Sequence, residues 1–482
     1  MRLLHTSDWH LGQSLHNFDR GYEHQCFLDW LLDTIVSEQA DALLIAGDVF
    51  DNANPSAASQ RQLYRFLQQA RQRAPQLDLL IVAGNHDSPG RLEAPGPLLE
   101  AHGTQVVGNV PRNADGEIDL ERLVLPLTGK GGKIEAWCLA IPFLRPGDVP
   151  RSPPAGAAAD AGTTAATDAG ATAGAGADAD TTAIAGSDTT TGAGAGASAG
   201  ADADVVATAD ASAAPAAAAD TAAARPDAAP DPYLAGIALL YRQALQLALT
   251  RRQPGQAILA MGHCHMVDGQ MSNDSERRIV IGGTEMLPAG IFDPVIAYAA
   301  LGHLHLAQTV GKQEHIRYCG SPIPLSFSEI GYRHQVLRID LQDGMVREIA
   351  PLAVPRAVEL LRVPARPAPL EQVLAELAVL ELPELPPHAQ PLLEVRVLID
   401  APEPGMRARV EAALTGKPVR LAKIDTSSAA RAPTLDDIAL TLDQLDQLQP
   451  DDIFRRLYLQ KFGSPAPSEQ LSAFAELMLP GA

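Results

Sequence analysis

The hydrophobic and polar positions of this chain fall into blocks, and the blocks predict its elements. Ala42-Leu-Leu-Ile-Ala46 and Leu79-Leu-Ile-Val-Ala83 are short unbroken apolar runs, the length of strands buried on both faces. A shorter run from about Arg2 to Thr6 predicts a first strand. Between these runs the period changes. Phe27, Leu28, Leu31, Leu32, Ile35 and Val36 recur at three- and four-residue spacing, which predicts a helix over Gly21–Ala40. A second helix is predicted from about Ser56 to Arg73. Strand, helix, strand, with polar residues at each strand's C-terminal end, is the pattern of a βαβ unit. Ligand sites in such sheets lie beyond those ends.

Further strands are predicted near 104–107, 123–127 and 135–142. An amphipathic helix follows over Tyr233–Arg251, then strands Ala257–Met261, Arg278–Gly282, Ile296–Leu301, Gln308–Val310, Ile316–Cys319 and Val336–Leu341. A second region alternates again: strand Val358–Val363, helix Leu370–Leu380, strand Leu392–Ile399, helix Met406–Leu414 and strand Val419–Ile424. The last stretch, 434–482, reads as helices broken by Gln449-Pro450-Asp451 and by Gly463 to Pro467. Three domains are therefore expected, 1–345, 355–428 and 434–482. From about Ser152 to Pro230 the chain is almost entirely Ala, Gly, Thr, Ser and Asp. Such a segment buries too little apolar surface to offset the entropy of ordering, and a disordered insertion is expected there.

Charge narrows the picture. The net charge is −21, and the ten aspartates of the insertion against Arg225 contribute about −9 of it, so the rest of the chain is acidic too. Bulk electrostatic attraction to nucleic acid is excluded. If the substrate is nucleic acid, bound metal ions, local basic patches or a partner must supply the attraction. Cys26, Cys138, Cys264 and Cys319 are scattered without a C-x-x-C pair, as in a reducing compartment. No apolar run approaches the about 20 residues of a membrane span, and no secretory leader is evident, so a cytoplasmic protein is expected.

The chemistry collects at the strand ends. Asp8-x-His10 leaves the first strand, and alternate residues there reach one point. The later strands end in Gly47-Asp48, Gly84-Asn85-His86, Gly262-His263 and Gly302-His303-x-His305. This inventory is too rich in nitrogen for magnesium or calcium alone and lacks the thiolates of a structural zinc site. It suits two ions roughly 3.5–4 Å apart that share a carboxylate.

The order D-x-H, G-D, G-N-H-D, G-H, G-H-x-H resembles the calcineurin-like metallophosphoesterases. His5-Thr-Ser-Asp-Trp-His-Leu-Gly12, Pro142-Phe-Leu-Arg-Pro146 and Tyr318-Cys-Gly-Ser-Pro-Ile-Pro-Leu-Ser-Phe327 are similar to a subgroup of them, the nuclease subunits of a bacterial double-strand-break repair complex. The resemblance implies an α/β fold, a two-layer β-sandwich flanked by helices, with a small capping domain and C-terminal helices. It implies two manganese ions, one held by Asp8, His10, Asp48 and His305, the other by Asp48, Asn85, His263 and His303. His265 remains an alternative to His263. His86 is then the acid that serves the transition state, oriented by Asp51, with Asp87 as the rival for that task. Trp9 and Arg145 are candidates for stacking on DNA and pairing with phosphate, or for packing and surface charge. The implied activity is cleavage of DNA ends and hairpins by a homodimer working with a coiled-coil ATPase.

Two other readings share the motifs: a phosphodiesterase or phosphatase on a non-DNA substrate, and a non-catalytic scaffold for an ATPase. In the tail, Ile453, Phe454, Leu457, Tyr458 and Phe462 form one apolar stripe. Such a stripe folds back on its own domain or lies on a partner helix; the resemblance favours the ATPase.

Overall fold

The computed structural model describes residues 1–100, 103–150, 231–267, 269–272, 286–399 and 403–427, with Pro467 and Leu471. The Ala/Gly/Thr/Asp-rich insertion, the strand expected at Arg278–Gly282 and the apolar stripe from Ile453 to Phe462 lie outside the described residues. Two compact units divide the chain: Met1–Val397 with Gly405–Thr426, and Leu398–Pro404 with Ser427–Ala482. The sandwich and its polar loops lie in the first.

The chain opens with β1 (Arg2–Thr6), a short hairpin of β2 (Ser14–Leu15) and β3 (Phe18–Asp19), and α1 (Gly21–Ser37). Then come β4 (Ala42–Ala46), α2 (Ala57–Arg73), β5 (Asp78–Val82), α3 (Pro89–Glu93), α4 (Gly96–Glu100) and β6 (Thr104–Val107). The second half of the body holds β7 (Val124–Thr128), β8 (Ile134–Ala140), α5 (Pro232–Arg251), β9 (Ala257–His263), β10 (Tyr298–Gly302), β11 (Gln308–Val310) and β12 (Gln313–Tyr318). A hairpin, β13 (Gln335–Gln342) and β14 (Met345–Ala353), returns the chain to the first sheet.

Two six-stranded sheets result, ordered β14-β13-β1-β4-β5-β6 and β11-β12-β10-β9-β8-β7. The central strands of each run parallel: β1, β4, β5 and β6 in one, β8, β9, β10 and β12 in the other. Strands β4 and β5 lie over β8, β9 and β10, so the sheets form the two layers expected. Period-two alternation sorts the apolar runs. Leu3, Ala42, Leu44, Leu80 and Val82 face the space between the sheets. Leu4, Leu43, Ile45, Leu79 and Ile81 face α1 and α2 through Phe27, Leu31, Leu63 and Phe66. Each fully buried Leu or Ile contributes about 1.5–3 kcal/mol. Ser56 caps α2 by accepting from the Ser59 N–H, which contributes about 1 kcal/mol.

The capping region comprises β15 (Leu360–Pro369), α6 (Leu370–Ala378), β16 (Leu392–Leu398), α7 (Met406–Ala413) and β17 (Arg420–Ser427), with the strands in the order β15-β16-β17. It meets the sandwich through a small apolar cluster in which Val358, Leu360 and Leu392 pack with Leu15 and Phe327.

The boundaries differ from the sequence reading at a few points. Helix α1 stops at Ser37 rather than Ala40, and Gln39 turns with a left-handed φ of 53°. Strand β15 starts two residues late and runs on through its prolines, which an edge strand tolerates. Strand β14 is not predicted at all, because an edge strand with mostly exposed or half-buried residues and Pro351 lacks a clean alternation. No helix among the described residues is long and apolar enough to cross a membrane. All four cysteines are free.

Candidate metal centre

The polar loops after β1, β4, β5, β9 and β10 converge at one edge of the sandwich, where parallel strands end together. The first two loops are joined along their backbones. Asp8, His10 and Leu11 donate their N–H groups to the carbonyls of Gly47, Asp48 and Val49, each at 3.0 Å. Asp8, His10 and Asp48 hold left-handed φ values of 54°, 47° and 49°. Non-glycine residues in that region store strain of order 1–3 kcal/mol each, and such positions cluster at functional sites. Gly47 has φ +89°, and a Cβ there would collide with the His263 ring and lie 2.9 Å from Gly84 Cα. Only glycine allows this approach.

The third loop is knitted to the second. The His86 N–H donates to Asp48 Oδ1 at 2.8 Å. The Asp87 carboxylate is buried and accepts from the N–H groups of Val49, Phe50 and Gly84 at 3.1, 2.9 and 2.9 Å. Burial and the neighbouring Asp48 charge raise its pKa to about 6. Asp87 therefore fastens turns together.

Imidazoles come from the second sheet. His263 ends β9; its Nδ1–H donates to the Ala46 carbonyl at 2.9 Å. Its Nε2 lies 3.0 Å from Asn85 Oδ1 and 3.3 Å from Asp48 Oδ2. His303 donates its backbone N–H to the Asp8 carboxylate at 3.0 and 3.2 Å, and its Nδ1 lies 3.1 Å from Asn85 Oδ1. His10 places Nε2 3.6 Å from Asp48 Oδ2. Three groups have ligand atoms within 4.8 Å of one another: Asp8, His10 and His305; His10, Asp48 and His86; Asp8, Asp48 and His263. The aspartates and His10, His263, His303 and His305 are buried, while His86 is half-buried.

The donor set fits a cation. With its Nδ1–H given to Ala46, a neutral His263 turns a lone pair toward Asn85 Oδ1 and Asp48 Oδ2, so three acceptors face each other. A proton or a cation must sit among them. Burial pulls the His263 pKa down, but the Asp48 and Asp8 carboxylates outweigh it and raise it to about 9. Burial alone would lift Asp48, yet His263, His10 and His86 hold it far below the usual carboxylate range. Asp8, in contrast, is raised by burial. Among the described residues, the buried nitrogens His10 Nε2 and His303 Nε2 have no hydrogen-bond partner. Oxygen and imidazole donors converging with unsatisfied lone pairs suit first-row divalent metals.

Among the described residues, each site residue named from the sequence has a place here or elsewhere. His265 joins none of these groups, its ring centroid 6.1 Å from that of His303. Arg145 is exposed, with its guanidinium carbon 5.5 Å from the centroid of the Phe143 ring, which in turn meets the His263 ring edge-on at 6.4 Å. One expectation needs correction. Trp9 offers no face to DNA: it is fully buried against Phe27 and Phe66, and its indole N–H donates to Thr6 Oγ1 at 2.9 Å. Asp8 and His10 reach the site through left-handed turns, and Trp9 between them packs against α1 and α2. Asp51 meets His86 through its backbone: its carbonyl accepts from His86 Nδ1 at 2.7 Å. The Asp51 carboxylate lies 3.4 Å from His10 Nδ1.

Sequence reasoning missed Glu329. Its side chain is fully buried, and Oε1 lies 2.9 Å from His305 Nδ1. The turn that brings it there lies 24 residues beyond His305, and no spacing rule signals the contact.

Residues 1–142 match the calcineurin-like phosphoesterase family model, and residues 356–462 match a model described as the type 5 capsule protein repressor C-terminal domain. The SbcD chain of nuclease SbcCD from Rhodobacter capsulatus is 36% identical over 442 residues, 90% of this chain and 91% of that protein. The Escherichia coli K12 protein of the same name is 32% identical over 74% of this chain and 68% of its own length. That of Bacillus subtilis is 29% identical over 71% and 67%.

Proposed function

The chain belongs to the SbcD family of nuclease subunits, metal-dependent phosphodiester hydrolases, and on that premise we propose that it cleaves DNA ends and hairpins with two manganese ions. Asp8, His10, Asp48 and His305 would hold one ion, and Asp48, Asn85, His263 and His303 the other. The observation that carries this reading is the position of Asp48. One of its oxygens lies 3.3 Å from His263 Nε2 and 3.6 Å from His10 Nε2, between the two halves of the donor set. Its other oxygen accepts the His86 N–H.

When bound, the ions supply an activated water and neutralise charge on the phosphoryl oxygens. The chain's own residues do the rest. His86 holds a proton for the departing oxygen; its Nδ1–H is fixed by the Asp51 carbonyl, so Nε2 is the nitrogen that exchanges it. The Asp51 carboxylate orients His10. Asp87 fixes the backbone that carries Asp48 and His86. Arg145, with no ion pair among the described residues, suits a backbone phosphate.

A net charge of −21 gives the chain no general attraction for DNA, so the ions and a partner have to provide it. A coiled-coil ATPase of the SbcC type is the partner this reading requires, in a heterotetramer built on a homodimer of this chain, with ATP hydrolysis driving double-strand digestion. The tail stripe Ile453, Phe454, Leu457 and Tyr458 is the sequence feature that suits docking on a coiled coil. The experiment is a substrate panel with manganese: linear duplex and hairpin DNA, a cyclic nucleotide and a phosphopeptide, each with and without the ATPase. Cleavage of DNA alone, stimulated by ATP only in the complex, supports the proposal. Turnover of the cyclic nucleotide or phosphopeptide instead would replace it.

A further inference from the structure

Behind His305 lies a carboxylate to which neither the motifs nor the proposed reaction gives a task. Glu329 ends a 3-10 turn, Phe327–Glu329, and is fully buried. Its Oε1 lies 2.9 Å from His305 Nδ1, and its Oε2 accepts the Leu325 N–H at 2.7 Å. Its backbone carbonyl lies 3.3 Å from His334 Nε2, while His334 Nδ1 donates to the Ser321 carbonyl at 2.9 Å. At the turn's other end Phe327 packs into the apolar cluster with Val358, Leu360 and Leu392. Each carboxylate oxygen thus has a contact, and the turn that carries it is anchored at Phe327 and His334.

A buried carboxylate with only neutral donors is costly, because desolvation of the charge is not repaid. Glu329 accepts from the Leu325 N–H and pairs with His305 Nδ1. A cation on the far nitrogen of His305 would compensate, because the ring passes its field to Nδ1–H. In return a carboxylate behind a ligating histidine fixes its tautomer and raises its basicity.

The candidate ligands are not backed alike. His305 backs onto Glu329, and His10 has Asp51 3.4 Å from its Nδ1. His263 backs onto the Ala46 carbonyl, a neutral dipole. His10 and His305 of the first ligand set therefore have a carboxylate behind them, whereas His263 of the second has a carbonyl.

We propose that Glu329 is a positioning residue that makes the Asp8, His10 and His305 site the tighter of two unequal metal sites. The proposal rests on the assignment of these side chains as metal ligands. The direct test is calorimetric titration of the metal-free full-length chain with manganese chloride, wild type beside Glu329→Gln. Wild type takes up two equivalents with separable affinities. Glu329→Gln keeps the metal-free melting temperature within a few degrees. It weakens the tighter equivalent about 10–100-fold, the usual scale for losing such a partner, and leaves the weaker one unchanged. Glu329→Asp keeps the charge but withdraws it from Nδ1, and weakens the same equivalent; it also serves if Glu329→Gln does not fold. Unchanged affinities in both variants, or loss of the weaker equivalent instead, would overturn the role of Glu329. A wild-type chain that binds no divalent ion would overturn the ligand assignment itself, which is a separate outcome.

Discussion

The backbone N–H of His86 donates to Asp48 Oδ1 at 2.8 Å, so this bond between the two residues runs through the main chain. Replacing the His86 ring leaves that bond in place. His86→Asn is therefore expected to retain both metal equivalents and to lose about 10²-fold or more in cleavage rate, the scale of a lost general acid. Metal content by mass spectrometry and single-turnover rates check this. Loss of one equivalent would make His86 a ligand, a role its place beside His10 and Asp48 also permits.

Trp9 separates packing from recognition. The side chain is fully buried between Phe27 and Phe66. Trp9→Ala is expected to lower unfolding stability by about 3–5 kcal/mol, as large-to-small changes in a core do. Where the variant remains folded, its DNA affinity stays near that of wild type. Denaturant melts and DNA titrations measure the two effects. A large affinity loss at unchanged stability would restore Trp9 as a contact.

His5 and His24 predict a pH dependence. Burial pushes the pKa of each down to about 3, with the Arg20 charge adding to the effect at His24. As pH falls below about 6.5, the unfolded chain protonates these histidines while the folded chain does not. Their stabilising contribution is whole above that value and is lost between it and about 3. The slope is about 1.4 kcal/mol per pH unit for each histidine. Urea unfolding at pH 6.0 and 5.0 should show His5→Gln and His24→Gln each losing less stability than wild type over that interval, by about 1 kcal/mol. Equal slopes would mean that the histidines titrate normally.

The parts of the structure legible in sequence are those set by local period. Ala42–Ala46 and Asp78–Val82 are strands because unbroken apolar runs of that length suit a sheet covered on both faces. The glycines before Asp48, Asn85, His263 and His303 marked the strand ends. Contacts made at long range were not legible. The direction of the Asp51 carboxylate depends on how the first two loops zip together. Glu329 reaches His305 only because the turn carrying it is anchored by Phe327 and His334. Trp9 misleads by its neighbours: two site-facing residues flank it, and the left-handed turns at Asp8 and His10 leave it packed on Phe27 and Phe66.

The proposed DNA nuclease turns on Asp48. The most direct measurement is manganese-dependent cleavage of end-labelled linear duplex DNA by the purified chain together with its ATPase partner, wild type beside Asp48→Asn. Wild type is expected to give product with manganese and none without it, and a folded Asp48→Asn chain that has lost bound metal is expected to give no detectable product. Cleavage by Asp48→Asn at the wild-type rate, or a metal-loaded wild type inert on DNA, would contradict that proposal.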